Sequence, residues 1–507
     1  MKALFAFSFS ILSFQIAMAL TPLQQLEQTL GKLLDNKVYQ ITSHQFSAAN
    51  KQLTGEATLF KKQRIAFTAA YDGDQQLADV VFSFPAGSEL KISNRAWQKM
   101  AGASLRAYVP KELERSLQLK SLGIQVSKAE QQEDDSKIKQ LDLSFHAVKG
   151  WDMLASKAMT LENIVIDFAI ENPTLKAKRS TNATLTGITK LGSVAVDMSA
   201  ALTPKKEELQ LSGTTQQELR FQKAITSIIG QRQIKGVSLP DVMVDMALNE
   251  AMLTVAPYQK WSTLNATSNW GLVDIYLHKN AKKKGKLEYV AAFQLHDDFK
   301  FSNIHNSLGI LNKLNLGGQK IVISSAKKTK KEASKIPSLS QIKGGIQQGC
   351  NYIANLDLKK LKMDALLAMD KIQVTTLLNK HLKDVTLAGI IETDLSMGGN
   401  AKLSGVQFRL TPAPNAFAIA LVGIMDTKIQ QDLLEFAGGV EVGLVDQSLN
   451  FTAVMDGEWN NPLGVKGLKM TDVALQLGSS FTTAPFILPN IGLSGQLNIG
   501  SFEGAAT

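Results

Sequence analysis

The sequence predicts a mainly β protein with inserted helices (α+β), built from two or three diverged units of antiparallel, twisted sheet that form an extended groove or a sandwich. Three observations carry this reading. First, apolar and polar residues alternate with period two: Val194, Val196, Met198, Ala200 and Leu202 do so against Ala195, Asp197, Ser199 and Ala201, and the pattern returns through Leu449, Phe451, Ala453 and Met455 and through Leu493, Gly495, Leu497 and Ile499. A strand with that period gives one face to a core and the other to solvent. Second, an octad recurs, as LENIVIDF at 161–168, LPDVMVDM at 239–246, LKDVTLAG at 382–389 and MTDVALQL at 470–477. Third, a Leu-small-Gly tripeptide ends at Gly55, Gly187, Gly213, Gly389, Gly405 and Gly495. Glycine inside a strand pattern marks a bulge, a sharp bend or a close backbone approach.

The chain opens with a leader. Lys2 is followed by an apolar stretch, and Ala17, Met18 and Ala19 supply the small residues of a cleavage site, so residues 1–19 read as a signal peptide and the mature chain as starting at Leu20. A helix is then predicted, with Thr21 as cap, Pro22 at its first position and Leu23, Leu26, Leu30, Leu33 and Leu34 on one face, lying on the body as a brace. The remainder divides into a first β-rich unit at 20–177, a second at 178–326, a Lys/Ser linker at 327–340 and a third unit at 341–507. Helical spacing is predicted at 95–100, 110–117, 217–230, 364–382 and 430–437. In each octad the Asn or Asp (Asn163, Asp241, Asp384, Asp472) is expected to turn a loop into a strand by bonding its own backbone. Val242 and Val473 then point inward, and Met243 and Ala474 take the solvated face.

Charge is localised. Of the net +10, Lys279, Lys282, Lys283, Lys284 and Lys286 supply +5 and Lys327, Lys328, Lys330, Lys331 and Lys335 against Glu332 supply +4; Lys2 accounts for the rest, so the body of the chain is neutral. Lys282, Lys283, Lys284, Lys327, Lys328, Lys330 and Lys331 are the candidate contacts to a membrane or another anionic partner, since lysine clusters are attracted to anionic surfaces. A single cysteine, Cys350, precludes an intrachain disulfide, and an exported chain without disulfides fits a bacterial periplasm or medium. After the leader the longest apolar run, 417–425, is far short of the roughly 20 residues that span a bilayer as a helix.

Chemistry-bearing motifs are sparse. The sequence has no Gly-x-Ser-x-Gly elbow and no phosphate-cradling glycine loop. His296, Asp297, Asp298 and His305 lack metal-site spacing and read as a surface loop, so no metal, cofactor or catalytic residue is assigned. Asp456, Gly457, Glu458 and Trp459 read as a hairpin turn with the indole packed on the sheet rather than as a carboxylate pair for glycoside hydrolysis. Export excludes nucleic acid and leaves lipids, the envelope surface, glycans and surface proteins as partners.

The octads resemble, over these short stretches alone, the strand grammar of envelope lipid-transport proteins of the AsmA-like type. The cleavable leader departs from the uncleaved anchor usual there, and the family is not assigned. The sequence therefore leads to an exported, periplasmic or secreted, non-catalytic β protein that binds a hydrophobic or lipid-like ligand or the envelope surface. A secreted structural or adhesive β protein is the first alternative and an envelope hydrolase the second.

Overall fold

The computed structural model describes residues 20–33, 39–59, 63–85, 105–126, 138–154, 159–229, 243, 245–280, 286–303, 309, 311–312, 314, 316–360, 364, 369–378, 386–391, 395–396, 402–413, 416–429, 432–443, 448–455, 457–480, 490–499 and 502–506. Antiparallel strands dominate, with few helices. The chain divides into two compact units, one of residues 1–153, 160–189 and 197–211, the other of residues 154–159, 190–196 and 212–507.

The first unit begins with helix α1 (Pro22–Leu33). Thr21 Oγ1 accepts from the Gln24 N–H and Gln24 Oε1 accepts from the Thr21 N–H, a reciprocal cap that satisfies two donors otherwise orphaned at a helix start. Leu26 and Leu30 are buried. Gln25 Oε1 accepts from Leu77 N–H and the Tyr71 hydroxyl donates to the Pro22 carbonyl, so the helix braces the turn beyond the third strand as its apolar face requires. The strands are β1 (Tyr39–Ser47), β2 (Gln52–Leu59), β3 (Gln63–Tyr71), β4 (Leu77–Ser83), β5 (Leu117–Val126), β6 (Ile138–Ala147), β7 (Trp151–Asp152), β8 (Thr160–Glu171), β9 (Ser180–Leu191) and β10 (Val194–Leu202). Apart from the two-residue β7, each pairs with the next in an antiparallel meander. The alternation read at 194–202 holds: the five apolar positions are buried and the four between them exposed.

The second unit continues with β11 (Leu211–Thr214), β12 (Leu219–Arg220), helix α2 (Phe221–Ile229), β13 (Ala247–Ala256), β14 (Trp261–Ser268), β15 (Gly271–Asn280), β16 (Lys286–Leu295), β17 (Leu316–Ser324), the one-turn helix α3 (Lys330–Ala333), β18 (Gly349–Asp357), β19 (Lys371–Leu378) and β20 (Leu387–Ile390). It ends with β21 (Leu395–Ser396), β22 (Lys402–Ala413), β23 (Ala416–Ile429), β24 (Asp432–Gly443), β25 (Ser448–Met455), β26 (Trp459–Asn460), β27 (Leu468–Ser480), β28 (Asn490–Ile499) and β29 (Phe502–Ala506). From β13 to β29 the longer strands form a second antiparallel meander. Two segments read as helical contain strands, β19 within 364–382 and the start of β24 within 430–437. In 364–382 the β-branched run through Ile372, Val374, Thr375 and Thr376 pairs with β18. In 430–437, Leu434 and Phe436 are buried against exposed Glu435 and Ala437, which is period two and not 3.6. Residues 111–116 form turns, while 95–100 lie outside the described residues.

Five strand pairs share one irregularity. In β8, β13, β17, β22 and β27, two residues face one on the next strand, and the first of the two has positive φ: Asn163 (50°), Glu250 (51°), Gly318 (58°), Gly405 (60°) and Asp472 (51°). The second, respectively Ile164, Ala251, Gln319, Val406 and Val473, is buried. The residues facing them are Gly187, Ala266, Ala354, Gly423 and Gly495, all small. This is a bulge that adds one residue and bends the strand. A Cβ on Gly187 would sit 2.8 Å from Leu161 Cγ and 3.0 Å from the Glu162 carbonyl oxygen, and one on Gly495 would sit 3.0 Å from Met470 Cε, so at these two bulges the bend crowds any side chain opposite.

The octad is corrected by this geometry. Asn163 and Asp472 lie inside strands, not at a loop-to-strand turn, because their tolerance of the left-handed region is used by the bulge. Asp241, Asp384 and Val242 fall outside the described residues. Val473 is inward as expected and Ala474 half-buried, but Met243 is fully buried, since it precedes β13 and no strand alternation governs it.

Candidate functional site

The segment read as a Lys/Ser linker at 327–340 is part of the core of the second unit. Ala333, Ile336, Leu339, Ile342 and Ile346 pack on Val290 and Ala292 of β16, Val322 of β17 and Ile353 of β18. Four of those five are large aliphatic side chains, and their burial contributes roughly 6–12 kcal/mol before the entropy of ordering the chain. Apolar residues at three- to four-residue intervals among lysines and serines are the signal that composition alone conceals. Thr329 caps α3 with a reciprocal bond to Glu332.

Lys328 is the residue this packing buries, against the expectation of an exposed contact. Its ammonium donates to Glu288, whose own side chain is almost fully inaccessible. His278 Nε2 lies 3.4 Å from Lys328 Nζ and 3.6 Å from Glu288 Oε2. Burial, with the Lys328 charge beside it, holds the His278 imidazole below its usual pKa, against the opposing pull of Glu288 and Glu332. The ring stacks on Tyr276, which stacks on Trp261. Lys327, Lys330, Lys331 and Lys335 are exposed on the outside of the same segment. Lys282, Lys283 and Lys284 lie outside the described residues. The structure therefore brings one lysine of the predicted set into an interior ion pair and leaves three of them at the surface.

Beneath residues 337–343 lies a cavity of about 580 Å³, lined by Gln294, Lys320, Ser338, Lys343, Asn355 and Gln373 among others. Lys320 Nζ donates to the Ser338 carbonyl at 2.5 Å, and burial lowers its pKa, opposed by Asp274. Gln373 Oε1 accepts from the Lys343 N–H at 2.7 Å. A second cavity of about 230 Å³ shares Lys343 and Gln373 and is otherwise bounded by Gly344, Thr375, Ala388, Gly389, Ile390 and Gln407. Among the described residues no carboxylate lines either cavity. Sequence reading missed Lys320 and the amides because each is unremarkable in its own strand, and Lys343 because it lies in the loop before β18; strand register and the packing of that loop assemble them.

The same sheet face carries exposed aliphatic side chains. Ile390 is 64% exposed, Leu377 52%, Val454 52% and Ile424 42%. Ile390 faces Gln407, which faces Val422, and one step along β23 Ile424 leads across Ala437 and Val454 to Ala474. The opposite faces of these strands hold the buried Phe408, Leu421, Phe436, Phe451 and Leu475.

The remaining candidates are structural. Trp459 is buried as expected and Glu458 pairs on the surface with Lys469 at 3.3 Å, but Gly457 and Glu458 do not form a hairpin turn: β25 and β26 on either side of them both pair antiparallel with β27, and the chain reverses after Asn460, while Asp456 lies outside the described residues. His296, Asp297 and Asp298 are exposed, and His305 is outside the described residues. Cys350 is buried on β18, with its thiol pKa pushed up to about 12 by burial. Comparison of the chain with protein-family models, with curated proteins and with solved structures finds no match.

Proposed function

We propose that the chain is an exported, non-catalytic β protein, released from its leader after Ala19, that binds anionic lipid at the envelope surface through one face of its second unit. The observation that carries the reading is the coincidence on that face of a basic segment, with Lys327, Lys330, Lys331 and Lys335 outward, and the exposed aliphatic residues Leu377, Ile390, Ile424 and Val454. Lysines near an anionic surface contribute about 1 kcal/mol each and lose influence beyond a Debye length of about 8 Å at physiological salt. Aliphatic side chains add favourable transfer out of water once the charges have brought the face to the interface. An adhesive or structural protein has no need of both on one face.

Sedimentation of the mature protein with vesicles tests this. Binding to vesicles rich in phosphatidylglycerol, weaker at high salt and much weaker to phosphatidylcholine alone, is expected. Equal binding to both vesicles, or none to either, would turn the reading toward adhesion or scaffolding.

A further inference from the structure

Resting on the lipid-binding reading, we infer that the two adjoining cavities beneath residues 337–344 are one site for a single anionic amphiphile, its charged head in the larger cavity and the start of its chain in the smaller. The larger cavity offers cationic and neutral donors, and its lining among the described residues includes no acid: Lys320, Lys343, Gln294 and Asn355 surround it. The Lys320 ammonium has three protons and is held by one bond, to the Ser338 carbonyl, so two remain for a ligand. Gln373, whose carbonyl oxygen is taken by the Lys343 N–H, is left with its amide protons to present at the junction of the two cavities.

The smaller cavity changes character. Ala388, Gly389 and Ile390 bound it, and Ile390 opens to the exposed row that continues across β23–β25. A path from a lysine-lined chamber past an aliphatic notch to an apolar surface is complementary to an anion joined to an alkyl chain. The size of the larger chamber lies within the 300–1,000 Å³ usual for small-molecule sites. Phosphate and carboxylate heads share the required chemistry.

Titration calorimetry with dodecyl phosphate below its critical micelle concentration tests the site, with inorganic phosphate and dodecyl maltoside as comparators. One dodecyl phosphate per chain is expected, bound at least tenfold more tightly than either comparator. Lys343→Gln, an exposed position, should weaken it about tenfold, Lys320→Gln at least as much, and Ile390→Asn severalfold, with thermal melting confirming that each variant folds. Inorganic phosphate binding as tightly would make this a free-anion site, dodecyl maltoside binding as tightly would remove charge recognition, and the absence of saturable binding would remove the site; each overturns the inference. Vesicle sedimentation in parallel separates the two levels: vesicle binding that persists while dodecyl phosphate fails removes only the site, whereas loss of both removes the lipid reading too.

Discussion

Lys328 donates to the carboxylate of Glu288 with both side chains inside the protein, and this pair ties the segment before β18 to strand β16. Removing one partner of such a pair strands a charge out of water. Lys328→Ala should therefore cost about 3–5 kcal/mol, measured by equilibrium urea unfolding. Replacing both, as Lys328→Met with Glu288→Leu, should recover most of the loss, since well-packed apolar substitutes avoid the desolvation of two ions. A single variant as stable as the parent would mean that the pair is solvated.

The neighbouring imidazole gives the segment a pH dependence. Burial and Lys328 hold the His278 pKa below that of the unfolded chain, near 6.5, so the unfolded state takes up a proton first as pH falls. This contribution to stability is fully present above about pH 6.5 and is lost as pH drops through the lower folded value. Melting temperature should fall between pH 7 and 5 more steeply in the parent than in His278→Phe, which keeps a ring on Tyr276. Equal slopes would assign the acid sensitivity elsewhere.

Asn163 and Asp472 hold the left-handed positions of two bulges. Glycine at either position should be neutral or slightly stabilising, whereas Val should cost about 1–2 kcal/mol from the backbone alone. Gly187→Val should cost more, about 2–3 kcal/mol, because its Cβ would press on Leu161 and on the Glu162 carbonyl. Chemical denaturation of the three variants ranks them, and a tolerated Gly187→Val would show that the strands can separate there.

Much of this architecture was legible in the residues, and what escaped has identifiable causes. Alternation at 194–202 and the cap at Thr21 are local signals, and the structure follows both. The Leu-small-Gly pattern predicts bulge or close-approach positions, and Gly187, Gly405 and Gly495 are such positions, but which strand bulges depends on register, so the residues alone place Asn163 at a turn instead of inside β8. The lysine-rich segment misled through composition: its exposed charges hide Ile336, Leu339, Ile342 and Ile346, whose partners lie on strands up to about fifty residues away. Lys320 and Gln373 join one cavity only because β17, β18 and β19 pair as they do.

Cys350 should be inert in the folded protein. With its thiol pKa near 12, the reactive thiolate is a fraction of roughly 10⁻⁴ at pH 8, and the sulfur is shielded as well. Ellman's reagent should report no thiol under native conditions and one in guanidinium. Rapid native labelling would contradict the burial of β18.

That inertness permits the most direct test of the account. Cysteine introduced in turn as Ile390→Cys, Ile424→Cys, Val454→Cys and, as a control on β10 of the first unit, Asp197→Cys can each be labelled with an environment-sensitive fluorophore and titrated with phosphatidylglycerol vesicles at low and high salt. The account predicts a blue shift at residues 390, 424 and 454 that salt reverses, and no shift at residue 197. A shift at 197 alone, or at none of the four while vesicles still carry the protein down, would contradict the assignment of lipid contact to this face of the second unit.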